Sequence, residues 1–410
     1  AAKVFSLGRG APAYTIHRRI YREKAFAGVD GQFSLNDNLY TDTLFMVDEA
    51  SMIANMGLGG TTFGSGCLLD DLVKFVYQGH NDRLLLIGDK AQLPPVGEEE
   101  SPALSASVME GYGLKVYECD LNEVLRQSQS SGILYNATLI RQMITHDAVT
   151  GLPLIRFKGF ADIVMMPGAE LVASLGDSYH HVGMDETMVI TRSNKRANIY
   201  NNGIRNMVLD REEELSSGDM LMIVKNNYFW TEKEKKESGE GSAGAVPAFL
   251  ANGDRAKVLR VSNYIELYGF RFATLLLQLP DYDDYEMQVT GMLDTLQSEA
   301  PALTHEQQEE LFRQVEEDYQ HFVPLKADRM KSIRQDAYFN ALQIKYAYAV
   351  TCHKAQGGQW AHVYVDQGYM TDDMLTPDYI HWLYTAFTRA TDKLFLVNWP
   401  KEQTCEPTDL

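Results

Sequence analysis

Two apolar runs of this 410-residue chain end in acidic side chains. The run at 43–47 leads directly into Asp48 and Glu49, and a run ending at residue 87 is followed by Asp89 and, three residues later, by the amide Gln92. Open α/β sheets build nucleotide sites where neighbouring strands deliver polar groups at their carboxyl ends. There the first acid can hold Mg²⁺, and a following Glu can orient or deprotonate an attacking water. The spacing predicts hydrolysis of ATP, although an Asp-Glu pair after a strand can also cap a helix.

The sequence contains no phosphate-cradling loop of the form Gly-x-x-x-x-Gly-Lys-[Ser/Thr]. The glycine-rich stretches at 57–66 and 239–244 lack the Lys-Ser/Thr pair, and neither lies between a clear strand and a helix. We therefore interpret both as ordinary loops. Within these residues, the acidic strand ends lack the partner that a nucleotide site of this kind uses.

A second concentration of polar side chains follows the strand-like run at 347–350. Hydroxyl, imidazole, ammonium and amide groups crowd the turn after it, which is more than a purely structural loop needs, although a histidine alone is more often structural. The side chains are those of Thr351, His353, Lys354 and Gln356.

Arg389 follows a predicted helix and precedes a predicted strand at 393–397. A guanidinium at such an edge can bind phosphate oxygens across a cleft, because its planar fork matches them and stays charged at any working pH. A surface ion pair is the alternative interpretation.

The order of predicted elements indicates an α/β protein with two parallel-sheet domains. Residues 1–145 form the first domain, in which an Asp-Gly turn predicts a hairpin at about 25–42. The second domain comprises 146–215 and 345–410. Between these parts, the short β-like runs of 216–344 predict a small inserted barrel with an acidic helical segment.

Composition favours a soluble globular protein of two or three domains. Hydrophobic residues make up 45% of the chain, and no uncharged apolar run reaches the roughly 18 residues of a membrane span. The four cysteines are scattered without metal-ligand spacing. A reduced, cytoplasmic protein without structural zinc is expected.

The net charge of −19 argues at first against a nucleic-acid partner, because phosphate binding relies on Lys and Arg. The charge is unevenly distributed, however. Residues 281–320 carry twelve acids and one arginine, whereas the first 24 residues carry six basic side chains and one acid. A basic binding face with an acidic segment elsewhere is therefore compatible with the composition.

Five blocks of the chain resemble motifs II to VI of superfamily 1 helicases, in the family's order. The closest resemblance is to the RecD/Dda-like branch, whose members move 5′ to 3′. The blocks are VDEAS at 47–51, GDKAQLPP at 88–95, LNEVLR at 121–126, VTCHKAQG at 350–357 and YTAFTRA at 384–390.

The resemblance implies that both parallel-sheet domains are RecA-like, that the inserted barrel is Src-homology-3-like, and that the hairpin is a strand-separating pin. The start of the chain resembles the tail of motif Ia. Motif I, the P-loop, is then expected upstream of residue 1, so that the first domain is incomplete at its N-terminus.

The resemblance also implies roles for the site residues, with ATP and Mg²⁺ as the nucleotide and metal. Asp48 would hold Mg²⁺ through water, and Glu49 would activate the attacking water. Gln92 would sense the γ-phosphate, and Arg126 and Arg389 would stabilise charge on the transferring group. The nucleotide-binding set implied is Asp48, Gln92, Gln356, Gly357 and Arg389.

The implied partners are single-stranded DNA and junctions between single- and double-stranded DNA, bound by a monomer. A catalytically silent nucleic-acid-binding module is one alternative, and a RecD-like subunit of a helicase–nuclease complex of the exodeoxyribonuclease V type is another. The DNA-contacting residues implied are Lys3, Thr15, His17, Arg192, Asn194, Thr351, His353 and Lys354.

Overall fold

A computed structural model describes residues 14–25, 32–56, 63–121, 131–145, 151–238, 246–247, 249–371 and 374–405. Their strands form two α/β bodies and one barrel. We call the described residues between 14 and 121 the first lobe, those of 131–215 and 347–405 the second lobe, and those of 216–346 the barrel domain.

The first lobe contains a two-stranded parallel sheet of β3 and β4, in which Leu44 pairs with Arg83 and Val47 with Leu86. Helix α2 packs on this sheet through one apolar stripe, whose spacing of three and four residues is that of an amphipathic helix. The buried apolar residues of that stripe are Leu69, Leu72, Val73, Phe75 and Val76. The elements are α1 (Ile16–Ile20), β1 (Tyr21–Ala25), β2 (Gln32–Leu35), β3 (Leu44–Val47), α2 (Leu68–Gln78), β4 (Arg83–Leu86) and α3 (Ala106–Gly111).

The predicted hairpin is formed by β1 and β2, which pair antiparallel from Tyr21 opposite Leu35. It therefore begins and ends earlier than the expected region of 25–42. The Asp-Gly turn that indicated it, at residues 30–31, lies outside the described residues.

The second lobe is a five-stranded parallel sheet with the order β12-β6-β13-β14-β5. Every residue of β6 is buried, as expected for a central parallel strand covered on both faces. Its elements are α4 (Gly132–Thr145), β5 (Ile163–Met166), α5 (Leu171–His181), β6 (Thr187–Thr191), α6 (Asn194–Gly203), β12 (Ala349–Thr351), α10 (Cys352–Ala355), β13 (Trp360–Asp366), α11 (Pro377–Phe387) and β14 (Ala390–Val397).

Helix α4 packs with the second lobe, although the sequence places it in the first domain. Its buried residues Ile133 and Ile140 belong to the same apolar core as the second sheet. A Cβ on Gly132 would lie 2.7 Å from the side chain of Ile163 in β5, so the helix start is pressed against that strand.

The barrel domain closes five strands in the order β10-β11-β7-β8-β9. Long antiparallel pairing of β8, β9 and β10 forms most of its wall, and β11 pairs in parallel with β10 to help close it. The elements are β7 (Met220–Ile223), α7 (Phe229–Ser238), β8 (Arg255–Leu267), β9 (Phe270–Leu279), β10 (Tyr285–Met292), α8 (His305–Phe322), α9 (Lys326–Arg334) and β11 (Leu342–Tyr346).

The predicted fold class, two α/β sheet domains with a small inserted barrel, is confirmed. The acidic helical segment expected within 216–344 does not include Tyr285–Met292, which is a barrel strand. Met287 and Val289 are buried in the barrel core, whereas Glu286 and Gln288 are exposed. This alternation is typical of a half-buried strand, but the surrounding acidic residues obscured it.

Among the residues that the structure describes, no helix combines the length and the apolar character needed to cross a membrane.

Candidate functional site

The carboxyl ends of β3 and β4 are held together just beyond the strands. The amide of Ala50 donates a 2.9 Å hydrogen bond to the carbonyl of Ile87. A Cβ on Gly88 would lie 2.9 Å from the amide nitrogen of Ser51, so a side chain there would push the two segments apart. Beside this contact Glu49 has a left-handed backbone, with φ of 54°, which is uncommon for Glu. The turn thus holds the Glu49 carboxylate at the strand end.

Glu49 sits in an environment suited to a base. Burial raises the pKa of Glu49, the neighbouring Asp48 carboxylate raises it further, and Arg389 of the second lobe opposes both. A carboxylate whose pKa is moved toward neutrality accepts a proton from water more readily.

Asp89, at the end of the second acidic run, is bound by side chains of the second lobe. The hydroxyl of Tyr384 donates to its carboxylate over 2.8 Å, and the guanidinium of Arg141 lies 3.7 Å away. The amide of Ala91 donates to the other carboxylate oxygen over 3.0 Å, which shapes the loop after Gly88. Asp89 therefore connects the lobes.

The backbone of the same loop is bound at further points by the second lobe. The Gln356 side chain donates to the carbonyl of Leu93 over 2.9 Å, and the amide of Leu93 donates to the Thr385 hydroxyl over 2.8 Å. Nδ1 of His381 lies 2.9 Å from the carbonyl oxygen of Ala91, which accepts its hydrogen bond. Any movement of this loop therefore displaces hydrogen-bonded residues in the second lobe.

Gln92 carries an unpaired polar atom at the centre of this loop. Its Oε1 is buried and accepts no hydrogen bond from any described residue. Buried amide oxygens normally have a partner, so an unpaired one at a site is a place for a bound water or ligand. A metal-bound water or a nucleophilic water satisfies that requirement, which fits the expected role of Gln92 at the nucleotide.

Arg389 is a buried cation without a carboxylate partner in the described part of the chain. It is 5% exposed, and its guanidinium donates to the carbonyls of Thr385 and Gly358 and to the hydroxyl of Thr388. Burial lowers the pKa of Arg389, although arginine remains charged in proteins. A buried charge held only by neutral groups has a large uncompensated cost, which an anionic ligand relieves. The surroundings thus fit a phosphate group.

Gly357 lies where the two lobes meet, which we call the lobe junction. Its backbone has φ of +78°, which favours glycine, and a Cβ there would lie 4.0 Å from Oε1 of Glu49. The turn after α10 thus lies directly against the catalytic candidate of the first lobe. Gly357 thus lies beside Glu49, which follows Asp48 in the chain, while Gln356 contacts the loop that contains Gln92 and Arg389 donates to the carbonyl of Gly358. Arg126 and Lys3 lie outside the described residues.

Thr15 and His17, expected to contact DNA, lie at the start of α1 and already have structural contacts. The Thr15 hydroxyl caps the helix by accepting from the amide of Arg18 over 3.4 Å. The His17 ring packs edge-on against Phe63, 5.1 Å between centroids, and burial lowers its pKa. His17 thus contributes to the packing of the first lobe.

The second-lobe residues expected to contact DNA follow the ends of two neighbouring strands, β6 and β12. Thr351 is the last residue of β12, and His353 and Lys354 lie in α10. Lys354 donates a hydrogen bond to the Asn252 side chain in the barrel. Asn194, at the start of α6, donates to the carbonyl of Glu299 over 3.0 Å. The guanidinium of Arg192 lies over the Tyr379 ring at 5.6 Å. A DNA-binding role for these residues stays a prediction.

The sequence did not indicate the residues of α11 that bind the first-lobe loop. His381 and Thr385 are spaced four residues apart, which places them on one face of α11. Polar residues at this spacing in an otherwise buried helix were the available signal. Tyr384 and Arg141 gave no such signal, because their shared partner Asp89 is distant in the sequence.

Two family models match the chain. The AAA domain matches residues 1–150, which include the acidic strand ends. The UvrD-like helicase C-terminal domain matches residues 346–397, which include Gln356, Gly357 and Arg389. The two matches thus lie on the two sides of the junction.

Individual relatives are distant. The uncharacterized protein R530 of Acanthamoeba polyphaga mimivirus is 22% identical in an alignment of length 396, which covers 86% of this chain and 74% of that protein. A structure of two coordinating Pif1 helicases at forked double-stranded DNA has a TM-score of 0.47 at 12% identity, with 96% of this chain and 80% of that chain covered. Bacteroides Pif1 in complex with ADP-AlF3 and single-stranded DNA has a TM-score of 0.44 at 12% identity, with 89% and 72% covered.

Proposed function

We propose that this chain, which matches an AAA domain and a UvrD-like helicase C-terminal domain, is part of an ATP-driven motor that moves 5′ to 3′ along single-stranded DNA. The proposed direction is that of the RecD/Dda-like branch, whose motifs the five sequence blocks resemble. The observation that carries the hydrolytic part is Arg389, a buried guanidinium with no carboxylate partner among the described residues, whose charge is felt by Glu49 across the lobe junction. We place the γ-phosphate of ATP between these two groups.

Each residue then has a chemical task. Glu49, with its raised pKa, accepts a proton from the attacking water. Arg389 donates to the phosphate oxygens on which charge accumulates. Asp48 would hold Mg²⁺ through water, and the unpaired Oε1 of Gln92 accepts from a water beside the phosphate. When bound, Mg²⁺ would neutralise part of the negative charge of the nucleotide phosphates.

The loop from Asp89 to Leu93 couples hydrolysis to movement. It contains Gln92, and it is bound by Tyr384, Thr385 and Gln356 of the second lobe. A change at the phosphate that shifts Gln92 therefore changes the hydrogen bonds between the lobes. Opening and closing of the junction would move the predicted DNA-contacting residues Thr351, His353 and Lys354 relative to helix α1.

The absence of a Gly-x-x-x-x-Gly-Lys-[Ser/Thr] run from these 410 residues limits what they do alone. Such a loop supplies the backbone amides and the lysine that bind the β- and γ-phosphates. We therefore propose that these residues by themselves bind single-stranded DNA with little ATP turnover. In a helicase–nuclease complex, nuclease activity would reside in a partner, since the described residues form no carboxylate cluster of the metal-binding kind.

The test is ATP hydrolysis by the full-length protein encoded by the gene, measured with and without oligo(dT). Glu49→Gln keeps the shape of the side chain but removes the base, and should abolish the DNA-stimulated rate. Glu100→Gln, at an exposed position, is the matched control and should leave the rate unchanged. Full activity of the Glu49→Gln protein would contradict the assignment of Glu49 as the catalytic base.

A further inference from the structure

Aromatic and arginine side chains form a continuous surface where helix α1 of the first lobe meets the barrel domain. The guanidinium of Arg18 lies 5.5 Å from the ring centre of Tyr14 and 5.8 Å from that of Phe249 in the barrel domain. The Phe249 ring stacks on Tyr228, with centroids 5.0 Å apart and planes at 22°. These contacts cross the border between the two bodies.

A second arginine extends the surface along the first lobe. The Arg19 guanidinium lies 4.6 Å from the ring centre of Tyr40 and 5.1 Å from that of Tyr14. We call this set the aromatic–arginine surface. It consists of Tyr14, Arg18, Arg19, Tyr40, Tyr228 and Phe249.

The aromatic rings are too exposed to be explained as core packing. Tyr14 is 41% exposed, and Tyr40 and Tyr228 are each 37% exposed. Rings that stack over arginines while open to solvent leave part of their faces free for a ligand. A planar group can therefore be added to the stack.

The positive charge of this surface is also not neutralised. In the part of the chain that the structure describes, neither Arg18 nor Arg19 forms an ion pair with a carboxylate, whereas Arg22 in β1 pairs with Asp37 at 3.5 Å. This is unexpected in a chain with a net charge of −19. An anionic ligand would supply the missing counter-charge.

Planar groups joined by anions are the chemical pattern of single-stranded nucleic acid. Its unpaired bases stack on aromatic rings irrespective of sequence, while its phosphates attract arginines. In a duplex the base faces are stacked on one another, so a duplex could bind only the arginines of this surface and not its aromatic rings. Resting on the proposed function, we propose that the aromatic–arginine surface is a base-stacking site that holds single-stranded nucleic acid between the first lobe and the barrel domain.

The barrel segment that carries Phe249 also reaches the second lobe. Asn252, three residues further on, accepts the hydrogen bond from Lys354. One short barrel segment thus touches both Arg18 and Lys354, one in each lobe. A nucleic-acid strand stacked on Tyr228 and Phe249 would lie between the predicted DNA contacts of helix α1 and those of the second lobe.

The test compares two ligands by fluorescence anisotropy with the full-length protein in the absence of nucleotide: labelled oligo(dT) and an abasic strand of the same length. Tyr228→Leu should weaken binding of oligo(dT) by about ten-fold, the usual effect of losing one stacked base, and change binding of the abasic strand little. Tyr264→Leu, at a 57% exposed barrel tyrosine outside the surface, should leave both affinities unchanged. Arg18→Gln should weaken both ligands, because it removes a phosphate contact.

Native binding of oligo(dT) by the Tyr228→Leu protein would overturn the stacking site, and so would an equal loss for both ligands. Thermal melting of each variant shows whether it is folded. Tyr14→Leu changes a first-lobe ring of the same surface, and should likewise weaken binding of oligo(dT) more than binding of the abasic strand. If the unmodified protein does not bind oligo(dT), the proposed function itself is wrong. Failure of the two proposals is thus distinguishable.

Discussion

Tyr384 of the second lobe donates a 2.8 Å hydrogen bond to Asp89 at the end of the second acidic run of the first lobe. Burial is the main cause that raises the pKa of the Tyr384 hydroxyl, and the Asp89 charge adds to it. The phenol is therefore a permanent donor to a carboxylate at the border of the two lobes. Because this bond joins the bodies that move in the proposed cycle, its loss should affect both stability and coupling.

Tyr384→Phe should lower the free energy of unfolding by about 1.5 to 3 kcal/mol, the range for a hydrogen bond to a charged group. It should also reduce the stimulation of ATP hydrolysis by oligo(dT), since one connection between the lobes is lost. Urea denaturation and a steady-state ATPase assay measure the two effects. Tyr117→Phe is the control, because that side chain is 81% exposed. Unchanged stability and stimulation would show that the bond is incidental.

Gln356→Glu should separate hydrolysis from DNA stimulation. The amide donates to the carbonyl of Leu93, and a carboxylate in its place would repel that oxygen. We expect the oligo(dT)-stimulated rate to fall about ten-fold, equivalent to ~1.4 kcal/mol, with a smaller change in the unstimulated rate. Gln359→Glu introduces the same charge at an exposed neighbour and serves as the control. An equal fall in both rates would argue against a coupling role.

The buried charge of Lys345 should make the stability of the barrel domain depend on pH. Burial, with a smaller contribution from Lys354, lowers the pKa of Lys345 from 10.5 to about 8. Its folded pKa lies below its unfolded value, so the unfolded chain binds more protons between about pH 8 and 10.5 and the free energy of unfolding rises with pH there. Below pH 8 the cost of the buried charge is fully present.

Lys345→Met should therefore raise the free energy of unfolding by about 1 to 3 kcal/mol at pH 7, and the gain should shrink as the pH rises through the window above 8. Urea denaturation at pH 7 and pH 10 measures the difference. Lys326→Met, at an exposed position of α9, should show no such dependence. A gain that is the same at both pH values would contradict the buried-charge explanation.

The strand ends and the fold class could be predicted because their signals are local. Asp48 and Asp89 follow apolar runs, and the alternation of short β-like runs indicated the barrel. The strand Tyr285–Met292 was not predicted, because the acidic residues around it obscured its alternation of buried and exposed side chains. The lobe junction could not be derived in the same way, because Tyr384 and Asp89 are 295 residues apart and only the packing of two bodies brings them together.

The central claim is that Glu49 and Arg389 act on the same phosphate from opposite lobes, and a double-mutant cycle on the oligo(dT)-stimulated kcat of the full-length protein tests it most directly. Glu49→Gln and Arg389→Lys should each reduce kcat by about 10² or more. The double variant should have a kcat only slightly below that of the less active single variant, because the effects of residues that act as a unit are strongly non-additive. Losses that simply multiply would show that the two residues act independently, and would contradict a shared site.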